Sequence, residues 1–251
     1  MDGIRAILFD YGHTLVDFVR TEEALHEAYG RIRELLCSTA EATAPDVDAL
    51  IEHVALAVDA AVERSYEERD LEELDVIATI DSSFRRLGLD LPRETIIQAV
   101  ALDHSAVSGS LQPDPLVSST LEELRERGFR LGIVSNAHFL AEYMRADLAR
   151  LGLSHFFSAE AFSSEVGVRK PHPRIFQHVL GRLGVSADEA IFVGDRVKDD
   201  IVGARRVGMR LAVLTRQFRQ EEDGQGLADA VIQSLPELLD LVPSHLGDTR
   251  L

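Results

Sequence analysis

The segment Ile7-Leu-Phe-Asp-Tyr-Gly-His-Thr-Leu-Val-Asp-Phe18 decides how the rest of the chain is interpreted. Its apolar start is typical of a short strand buried on both faces, and this strand ends at Asp10 in a tight polar turn. In open α/β sheets, ligands bind at the carboxyl ends of the strands. The segment therefore makes Asp10 a candidate nucleophile and raises the question of what Gly12 and His13 do beside it.

Short apolar runs alternate with amphipathic stretches over much of the chain. This alternation of strand and helix favours a parallel sheet covered by helices. The predicted fold class is α/β, with a Rossmann-like parallel sheet core and helices on both of its faces. The predicted strands are residues 6–9, 131–134, 190–193, 211–214 and 230–232, and the predicted helices are residues 118–127, 139–151, 173–183 and 201–207.

The segment from residue 19 to residue 112 has a different pattern. Its apolar residues keep helical spacing and no convincing strand interrupts them, so it is predicted to be an all-α insertion after the first strand. The prolines of Gln112-Pro-Asp-Pro115 disfavour a continuous helix, which predicts a returning linker. The predicted domains are a catalytic core of residues 1–18 and 113–243, a helical domain of residues 19–112 and a loose C-terminal tail of residues 244–251.

Composition and charge exclude several classes of function. With 251 residues and 45% hydrophobic residues, the chain can bury a full core. Its formal net charge of −17 repels phosphate backbones and anionic membrane surfaces, so neither nucleic acid nor a membrane is an expected partner. The single cysteine, Cys37, and the lack of an apolar run of about 18 to 20 residues predict a cytoplasmic protein. A monomer and a homodimer both remain open.

The residues that can carry chemistry lie at the ends of the predicted strands and in one loop. They come from distant parts of the chain, and a parallel sheet should bring them together at one edge. Three neighbouring carboxylates need a cation to remain ionised, and hard oxygen ligands suit Mg²⁺. The residues are Asp10, Ser135-Asn136, Arg169-Lys170-Pro171, Gly194-Asp195 and Asp199-Asp200.

Lys170 stands out because this chain otherwise prefers arginine. Lysine occurs only at Lys170 and Lys198 among the 26 basic residues. A compact ammonium group and the Ser135 hydroxyl suit the oxygens of a phosphoryl group. Together with a carboxylate nucleophile and Mg²⁺, they predict in-line phosphoryl transfer through an aspartyl-phosphate.

Four segments, in this order and spacing, resemble the motifs of the haloacid dehalogenase-like hydrolase superfamily. Most members of that superfamily are magnesium-dependent phosphatases, and the resemblance covers nearly the whole chain. It implies that residues 19–112 are the helical cap, which closes over the active site and selects a small phosphorylated substrate. The segments are Asp10-Tyr-Gly-His-Thr-Leu15, Ile133-Val-Ser-Asn136, Val168-Arg-Lys-Pro-His-Pro173 and Val193-Gly-Asp-Arg-Val-Lys-Asp-Asp-Ile-Val-Gly-Ala204.

The resemblance also implies roles at the metal. Asp10 is then both the nucleophile and a ligand of Mg²⁺, and the Gly12 carbonyl and Asp195 are further ligands. Asp200 acts from behind these ligands by orienting Lys170 or a water molecule at the metal. Asp199 is adjacent to the aligned position, and its role is open.

The phosphate-binding roles follow from the same resemblance. Thr14 and Ser135 hold the motif and the phosphate, and Asn136 is assigned to substrate binding with them. Lys170 neutralises the charge of the phosphoryl group and counts as a catalytic residue together with Asp10, Ser135 and His13.

Two adjacent positions, Gly12 and His13, depart from the family pattern Asp-x-Asp-Gly-Thr-Leu. The family's phosphatases usually have a second Asp two residues after the nucleophile, which protonates the leaving group, and this chain has Gly12 there. Loss of such proton transfer costs about 10² to 10⁴ in rate, which matters most for alkyl phosphates. His13 is a candidate replacement, since an imidazole with a pKa near 6.5 can give and take a proton. Alternatively His13 only fills a turn, and a water at the metal or His104 serves instead.

Other functions remain as alternatives. Gly12 makes a phosphate- and magnesium-binding module with little or no turnover credible. A 2-haloacid dehalogenase would use the same Asp against carbon without Mg²⁺, and the retained Asp195 and Asp200 argue against it. Carbon-phosphorus cleavage needs a lysine from the cap, and residues 19–112 contain none. Asp17 is interpreted as a helix N-terminal residue that faces water.

Overall fold

The computed structural model describes residues 3–39, 44–68, 71–219 and 226–244. The chain divides into two compact units. The first contains the sheet and comprises Met1–Asp17, Gln112–Ala137 and Met144–Leu251, and the second comprises Phe18–Leu111 and His138–Tyr143. Within the C-terminal tail defined from the sequence, residues 245–251 lie outside the described part of the chain.

The second unit includes one segment that the sequence assigned to the catalytic core. Residues 138–143 belong to the helical unit because their aromatic side chains surround His104, with ring centroids 4.7 Å away for Phe139 and 5.6 Å away for Tyr143. The Tyr143 hydroxyl also donates a hydrogen bond to the Ile97 carbonyl at 3.3 Å. The predicted core of residues 113–243 differs from the first unit over these six residues. The other two boundaries lie one residue from the predicted ones.

Six parallel strands form the main sheet, in the order β5-β4-β1-β6-β7-β8, while β2 and β3 form a separate antiparallel pair. Within the main sheet, Phe9 of the central strand is in register with Ile133 and Val193 of its two neighbours. The residues that follow these three strands therefore emerge at one edge of the sheet. The strands are β1 (Ala6–Phe9), β2 (Val16–Asp17), β3 (Gln112–Pro113), β4 (Arg130–Ser135), β5 (Ala159–Phe162), β6 (Ala190–Gly194), β7 (Leu211–Thr215) and β8 (Ala230–Ile232).

All five predicted strands are present, within one residue of their predicted ends. Continuous apolar runs predict them well because β1 and β6 are buried along their whole length. β5 was not predicted. It lies at the edge of the sheet, and Glu160 in the middle of it is only partly buried and pairs with Arg145 at 3.1 Å, so its sequence contains no continuous apolar run.

The second unit is helical throughout its described elements. Helix α1 packs against α5, and a π-helical turn at Ile51–Ala55 joins α2 to α3. None of the helices that the structure describes, in either unit, is long and apolar enough to cross a bilayer. The helices of this unit are α1 (Glu22–Thr39), α2 (Val47–Leu50), α3 (Leu56–Glu67), α4 (Val76–Arg86) and α5 (Arg93–Ser108).

The sheet unit carries the remaining helices: α6 (Pro115–Glu126), α7 (Ala141–Arg150), which begins in the second unit, α8 (Ser163–Val166), α9 (Pro173–Leu183) and α10 (Val202–Val207). Gly184 and Gly208 end α9 and α10 in the left-handed conformation that glycine adopts easily. The linker predicted at residues 112–115 is wrong in part. It forms β3 and then the start of α6, because the Asp114 carboxylate accepts a hydrogen bond from the Leu116 amide at 2.8 Å.

Candidate active site

Three carboxylates meet at the carboxyl edge of the sheet. Asp10 follows β1, Asp195 follows β6, and Asp200 lies in a π-helical turn at Val197–Ile201. All three are buried, and each offers one oxygen within 4.8 Å of those of the other two. Asp199 is turned towards Arg196, whose guanidinium is 3.5 Å from its carboxylate. Asp200 and not Asp199 therefore belongs to the acidic cluster, which is defined as Asp10, Asp195 and Asp200.

Lys170 is buried against this cluster. Its Nζ lies 2.6 Å from Asp10 Oδ1 and 2.7 Å from Asp200 Oδ1. Burial by itself would lower the pKa of Lys170, but the charges of Asp10 and then Asp200 raise it above its usual value. The lysine is therefore a cation that bridges the nucleophile candidate and Asp200.

Asn136 holds the backbone of Lys170. The Lys170 amide donates to Asn136 Oδ1 at 2.7 Å, and Asn136 Nδ2 donates to the Lys170 carbonyl at 3.3 Å. This pair of hydrogen bonds ties the end of β4 to the loop between α8 and α9. The amide of Asn136 therefore positions Lys170, a role that the sequence did not predict for it, while its predicted contact with substrate stays a prediction.

The charges of the acidic cluster favour a divalent cation. Burial raises the pKa of Asp195, and the Asp10 and Asp200 charges raise it further. Burial also raises the pKa of Asp200, although the Lys170 ammonium acts in the opposite direction. Three hard carboxylate oxygen donors in a buried cluster fit Mg²⁺, which would offset their mutual repulsion. The predicted role of the Gly12 carbonyl remains a prediction.

Gly194 is required for the position of Asp200. A Cβ at Gly194 would lie 2.3 Å from Asp200 Oδ2 and 2.4 Å from its Cγ, far inside van der Waals contact. The same Oδ2 accepts a hydrogen bond from the Arg196 amide at 2.9 Å, which fixes the carboxylate against the end of β6. Gly194 thus leaves space for the Asp200 carboxylate, and Asp195 beside it supplies another carboxylate of the cluster.

Ser135 and Thr14 lie on the segments that the sequence assigned to phosphate binding. Ser135 ends β4 and is buried, and Thr14 lies in the turn that follows Asp10. The Thr14 hydroxyl is fully buried and has no hydrogen-bond partner among the described residues. Thr14 is close to Asp10 in the sequence, and Ser135 ends the strand that pairs with β1. The contact of both hydroxyls with phosphate stays a prediction.

His13 adopts a backbone conformation that explains why the family motif has Gly at this position. Its φ is 55°, in the left-handed region, and its Nδ1 lies 3.0 Å from Asp17 Oδ1. Burial lowers the pKa of His13, the Arg219 charge lowers it further, and the hydrogen bond with Asp17 raises it. Asp17 lies in β2 and not at a helix N-terminus, so the sequence interpretation of this residue is wrong.

Arg219 is a site residue that the sequence analysis missed. Its Nη1 lies 3.2 Å from Asp195 Oδ2, and only 26% of its side chain is exposed. It belongs to Arg216-Gln-Phe-Arg219, just beyond the carboxyl end of β7. The position of this segment after a predicted strand was the signal that could have identified it.

Comparison with known proteins identifies a family and several relatives of this chain. Residues 4–208 match the family described as haloacid dehalogenase-like hydrolase. A glyceraldehyde 3-phosphate phosphatase of Methanopyrus kandleri is 34% identical over 248 residues, which cover 95% of this chain and 97% of that protein. A phosphoserine phosphatase of Thermus thermophilus is 38% identical over 108 residues, which cover 43% of each chain.

Two solved structures have the same fold. A HAD phosphatase from Thermococcus onnurineus superimposes with a TM-score of 0.60 at 29% identity, covering 96% of this chain and 99% of that one. A 2-haloacid dehalogenase from Pseudomonas syringae gives a TM-score of 0.69 at 26% identity, covering 95% and 97%. The predicted α/β class and the prediction of a phosphatase-type hydrolase are confirmed. The chain belongs to the haloacid dehalogenase-like hydrolase family.

Proposed function

We propose that this protein is a magnesium-dependent phosphatase that hydrolyses a small phosphorylated metabolite through an intermediate phosphorylated on Asp10. The observation that carries the proposal is the buried contact of Lys170 with Asp10, inside a cluster of three carboxylates. An ion pair without a catalytic role can lie at the protein surface. A site that binds a phosphoryl dianion, in contrast, needs a positive charge fixed beside its carboxylate nucleophile.

The proposed reaction has two steps at Asp10. Its carboxylate oxygen attacks phosphorus in line, a bond from Asp10 to phosphorus forms, and the bond to the leaving alcohol oxygen breaks. Water then attacks the phosphoryl group and releases inorganic phosphate, so that the carboxylate is restored. Lys170 neutralises the phosphoryl charge in both steps, and the Ser135 hydroxyl donates a hydrogen bond to a phosphoryl oxygen. Mg²⁺, when bound by Asp10, Asp195 and the Gly12 carbonyl, supplies further positive charge.

Proton transfer to the leaving group is assigned to His13 in this proposal. Gly12 has no side chain that could do it, and the imidazole is the next side chain along the turn. Its Nδ1 lies 3.0 Å from Asp17 Oδ1, and in this proposal Nε2 is the atom that gives a proton to the leaving oxygen. The imidazole would later take a proton from the attacking water, as the carboxylate does in the family pattern.

The size of the substrate is proposed from the relatives. The names of two similar proteins state glyceraldehyde 3-phosphate and phosphoserine as their substrates, and both compounds are three-carbon phosphate monoesters. We extend this class, small phosphate monoesters, to the present chain. The helical unit, Phe18–Leu111 with His138–Tyr143, takes the part of the cap that selects among them.

Two other functions have a specific observation in their favour. Gly12 favours a module that binds phosphate and Mg²⁺ with little or no turnover. The similarity to a 2-haloacid dehalogenase favours carbon-halogen cleavage, in which Asp10 would attack carbon. That reaction gives no role to a cation held by Asp10 and Asp195, and the buried acidic cluster therefore favours the phosphatase.

A substrate panel tests the proposal. The purified chain would be assayed with p-nitrophenyl phosphate, glyceraldehyde 3-phosphate and phosphoserine, each with Mg²⁺ and with EDTA, and Asp10→Asn would serve as the control. We expect phosphate release that requires Mg²⁺ and is lost in Asp10→Asn. Binding of orthovanadate without turnover of any ester would favour the binding module. Halide release from 2-chloropropionate in EDTA would favour the dehalogenase and overturn the proposal.

A further inference from the structure

Arg219 pairs with one carboxylate of the acidic cluster from the side of β7. Its guanidinium is 3.2 Å from Asp195 Oδ2, in a position where three quarters of the side chain is shielded from water. Its charge also lowers the pKa of His13, which lies in the turn that follows Asp10. Arg219 therefore contacts the residue that follows β6, and its charge also acts on the turn that follows Asp10.

The pair of Arg219 with Asp195 uses a carboxylate that Mg²⁺ would also use. A divalent cation bound to the acidic cluster offsets the negative charge of Asp195 and weakens its attraction for the guanidinium. Two positive groups near one carboxylate also repel each other. Arginine presents a planar fork of N–H donors that fits phosphoryl and carboxylate oxygens, and an oxyanion nearby is a suitable new partner.

We propose that Arg219 changes partner during binding. Without a divalent cation it pairs with Asp195, and with Mg²⁺ in the acidic cluster it binds an anionic oxygen of the phosphorylated substrate. This inference rests on the proposed phosphatase function and adds a substrate-binding residue to it. Arg219 therefore lowers the affinity for Mg²⁺ when the cation binds alone. Once the cation is bound, Arg219 raises the affinity for the oxyanion.

The opposite signs of these two effects make the inference testable by isothermal titration calorimetry. Mg²⁺ would be titrated into the metal-free protein, and orthovanadate, as a phosphate-like oxyanion, would be titrated into the protein saturated with Mg²⁺. In Arg219→Met we expect Mg²⁺ alone to bind several-fold more tightly and orthovanadate to bind about tenfold more weakly, as for the loss of one charge-assisted hydrogen bond. Arg182→Met, which removes an exposed arginine of α9, should change neither affinity.

A second variant distinguishes the loss of a specific contact from misfolding. Arg219→Lys keeps the charge and loses the fork of donors, so we expect Mg²⁺ affinity close to wild type and orthovanadate affinity between wild type and Arg219→Met. If the wild type binds both ligands and Arg219→Met has the same two affinities, the inference is wrong while the proposed function stands. Weakening of both ligands in Arg219→Met would make Arg219 a merely structural residue and would also overturn it. If the wild type binds neither ligand, the proposed function fails together with the inference.

Discussion

His13 combines a strained backbone with a side chain that is a candidate for proton transfer. A left-handed conformation costs a residue with a Cβ about 1 kcal/mol, and glycine avoids this cost. We expect His13→Gly to raise the free energy of unfolding by up to about 1 kcal/mol. Loss of the hydrogen bond between His13 and Asp17 would offset part of this gain. We expect the same change to lower kcat for alkyl phosphates by about 10² to 10⁴ and to spare p-nitrophenyl phosphate.

Urea unfolding and steady-state kinetics with both kinds of ester measure these two effects of His13→Gly. His13→Ala is the matched control, because it removes the imidazole and keeps the strain. An unchanged kcat for alkyl phosphates in both variants would remove the proton-transfer role of His13.

Lys170 and Lys198 provide a comparison between a buried and an exposed lysine. Lys170→Met leaves Asp10 and Asp200 buried without the cation that they share, and removing one partner of a buried ion pair costs about 3 to 5 kcal/mol. We expect a loss of this size in the free energy of unfolding at pH 8, together with loss of phosphatase activity. Lys198→Met, at an exposed position, should change both by little. Equal stability of the two variants would contradict the assigned role of Lys170.

The sequence identified some site residues more readily than others, for a physical reason in each case. Lys170 was conspicuous because lysine is rare in this chain, and a buried site selects a compact ammonium. Arg219 was one of many arginines, and no pattern separates an arginine that folds back onto Asp195 from one that faces water. The role of Asp17 depends on the two-residue strand β2, which is too short to leave a periodic pattern.

The end of β6 has no room for a side chain at Gly194. In Gly194→Ala the new Cβ would meet the Asp200 carboxylate at 2.3 Å, so Asp200 must leave its place beside Lys170. We expect a loss of about 2 kcal/mol or more in the free energy of unfolding, as for other overpacked cores, and loss of magnesium-dependent activity. Thermal unfolding and the phosphatase assay measure both.

Gly181 supplies the control for this substitution. It lies within α9, and a Cβ there meets no described atom within 4 Å. Gly181→Ala should therefore stabilise the protein by about 0.5 to 1 kcal/mol through helix propensity and leave the activity unchanged. If Gly194→Ala behaves like Gly181→Ala, the close approach of Asp200 to the end of β6 is not essential.

Helix α5 carries a buried carboxyl group whose ionisation destabilises the helical unit. Burial raises the pKa of Asp103 to about 6, while the Tyr29 hydroxyl and the Arg20 charge act in the opposite direction. Because the folded pKa exceeds the unfolded one, the cost of ionisation is fully present above about pH 6 and disappears below about pH 4. We expect Asp103→Asn to raise the free energy of unfolding by about 1 to 3 kcal/mol at pH 8 and to have little effect at pH 4.

Urea unfolding at pH 4, 6 and 8 measures the effect of Asp103→Asn. The gain should grow as the pH rises between these values. A gain that is the same at all three, or a loss at pH 8, would show that the buried carboxylate is compensated by its neighbours.

Elements were predictable where burial leaves a pattern in the sequence. β1 and β6 are buried on both faces and appear as continuous apolar runs, and α9 has both a proline at its start and a glycine at its end. β5 lacks such a run because Glu160 interrupts it. The sequence predicts the start of α6 at residue 118, three residues too late, because prolines disfavour a continuous helix. Pro115 nevertheless fits the first turn of α6, where no amide donor is needed.

At the scale of the whole molecule, a net charge of −17 destabilises the folded state through repulsion between like charges. A bound divalent cation reduces this repulsion and should therefore stabilise the protein. Ligands that bind only the folded state stabilise it, by about 2.7 kcal/mol at a free concentration 100 times Kd. We expect saturating Mg²⁺ to raise Tm, and the same ionic strength of NaCl to raise it less. Asp195→Asn should lose the difference between the two salts, which differential scanning calorimetry measures. An equal effect of both salts on the wild type would argue against a specific site.

The units of the structure and the domains predicted from the sequence differ mainly at residues 138–143. The helical pattern of the long insertion identifies most of the second unit, because its periodicity lacks strands. A six-residue segment that follows β4 carries no such pattern, and only its aromatic packing around His104 assigns it to the helical unit.

This six-residue segment matters for any exchange of the helical unit between family members. Because the polypeptide enters the helical unit twice, grafting Phe18–Leu111 alone would transplant His104 without the rings of Phe139 and Tyr143 that cover it. The graft would expose apolar surface and pair a foreign helix with the host's own hexapeptide. A workable chimera therefore carries both pieces, with four splice points instead of two.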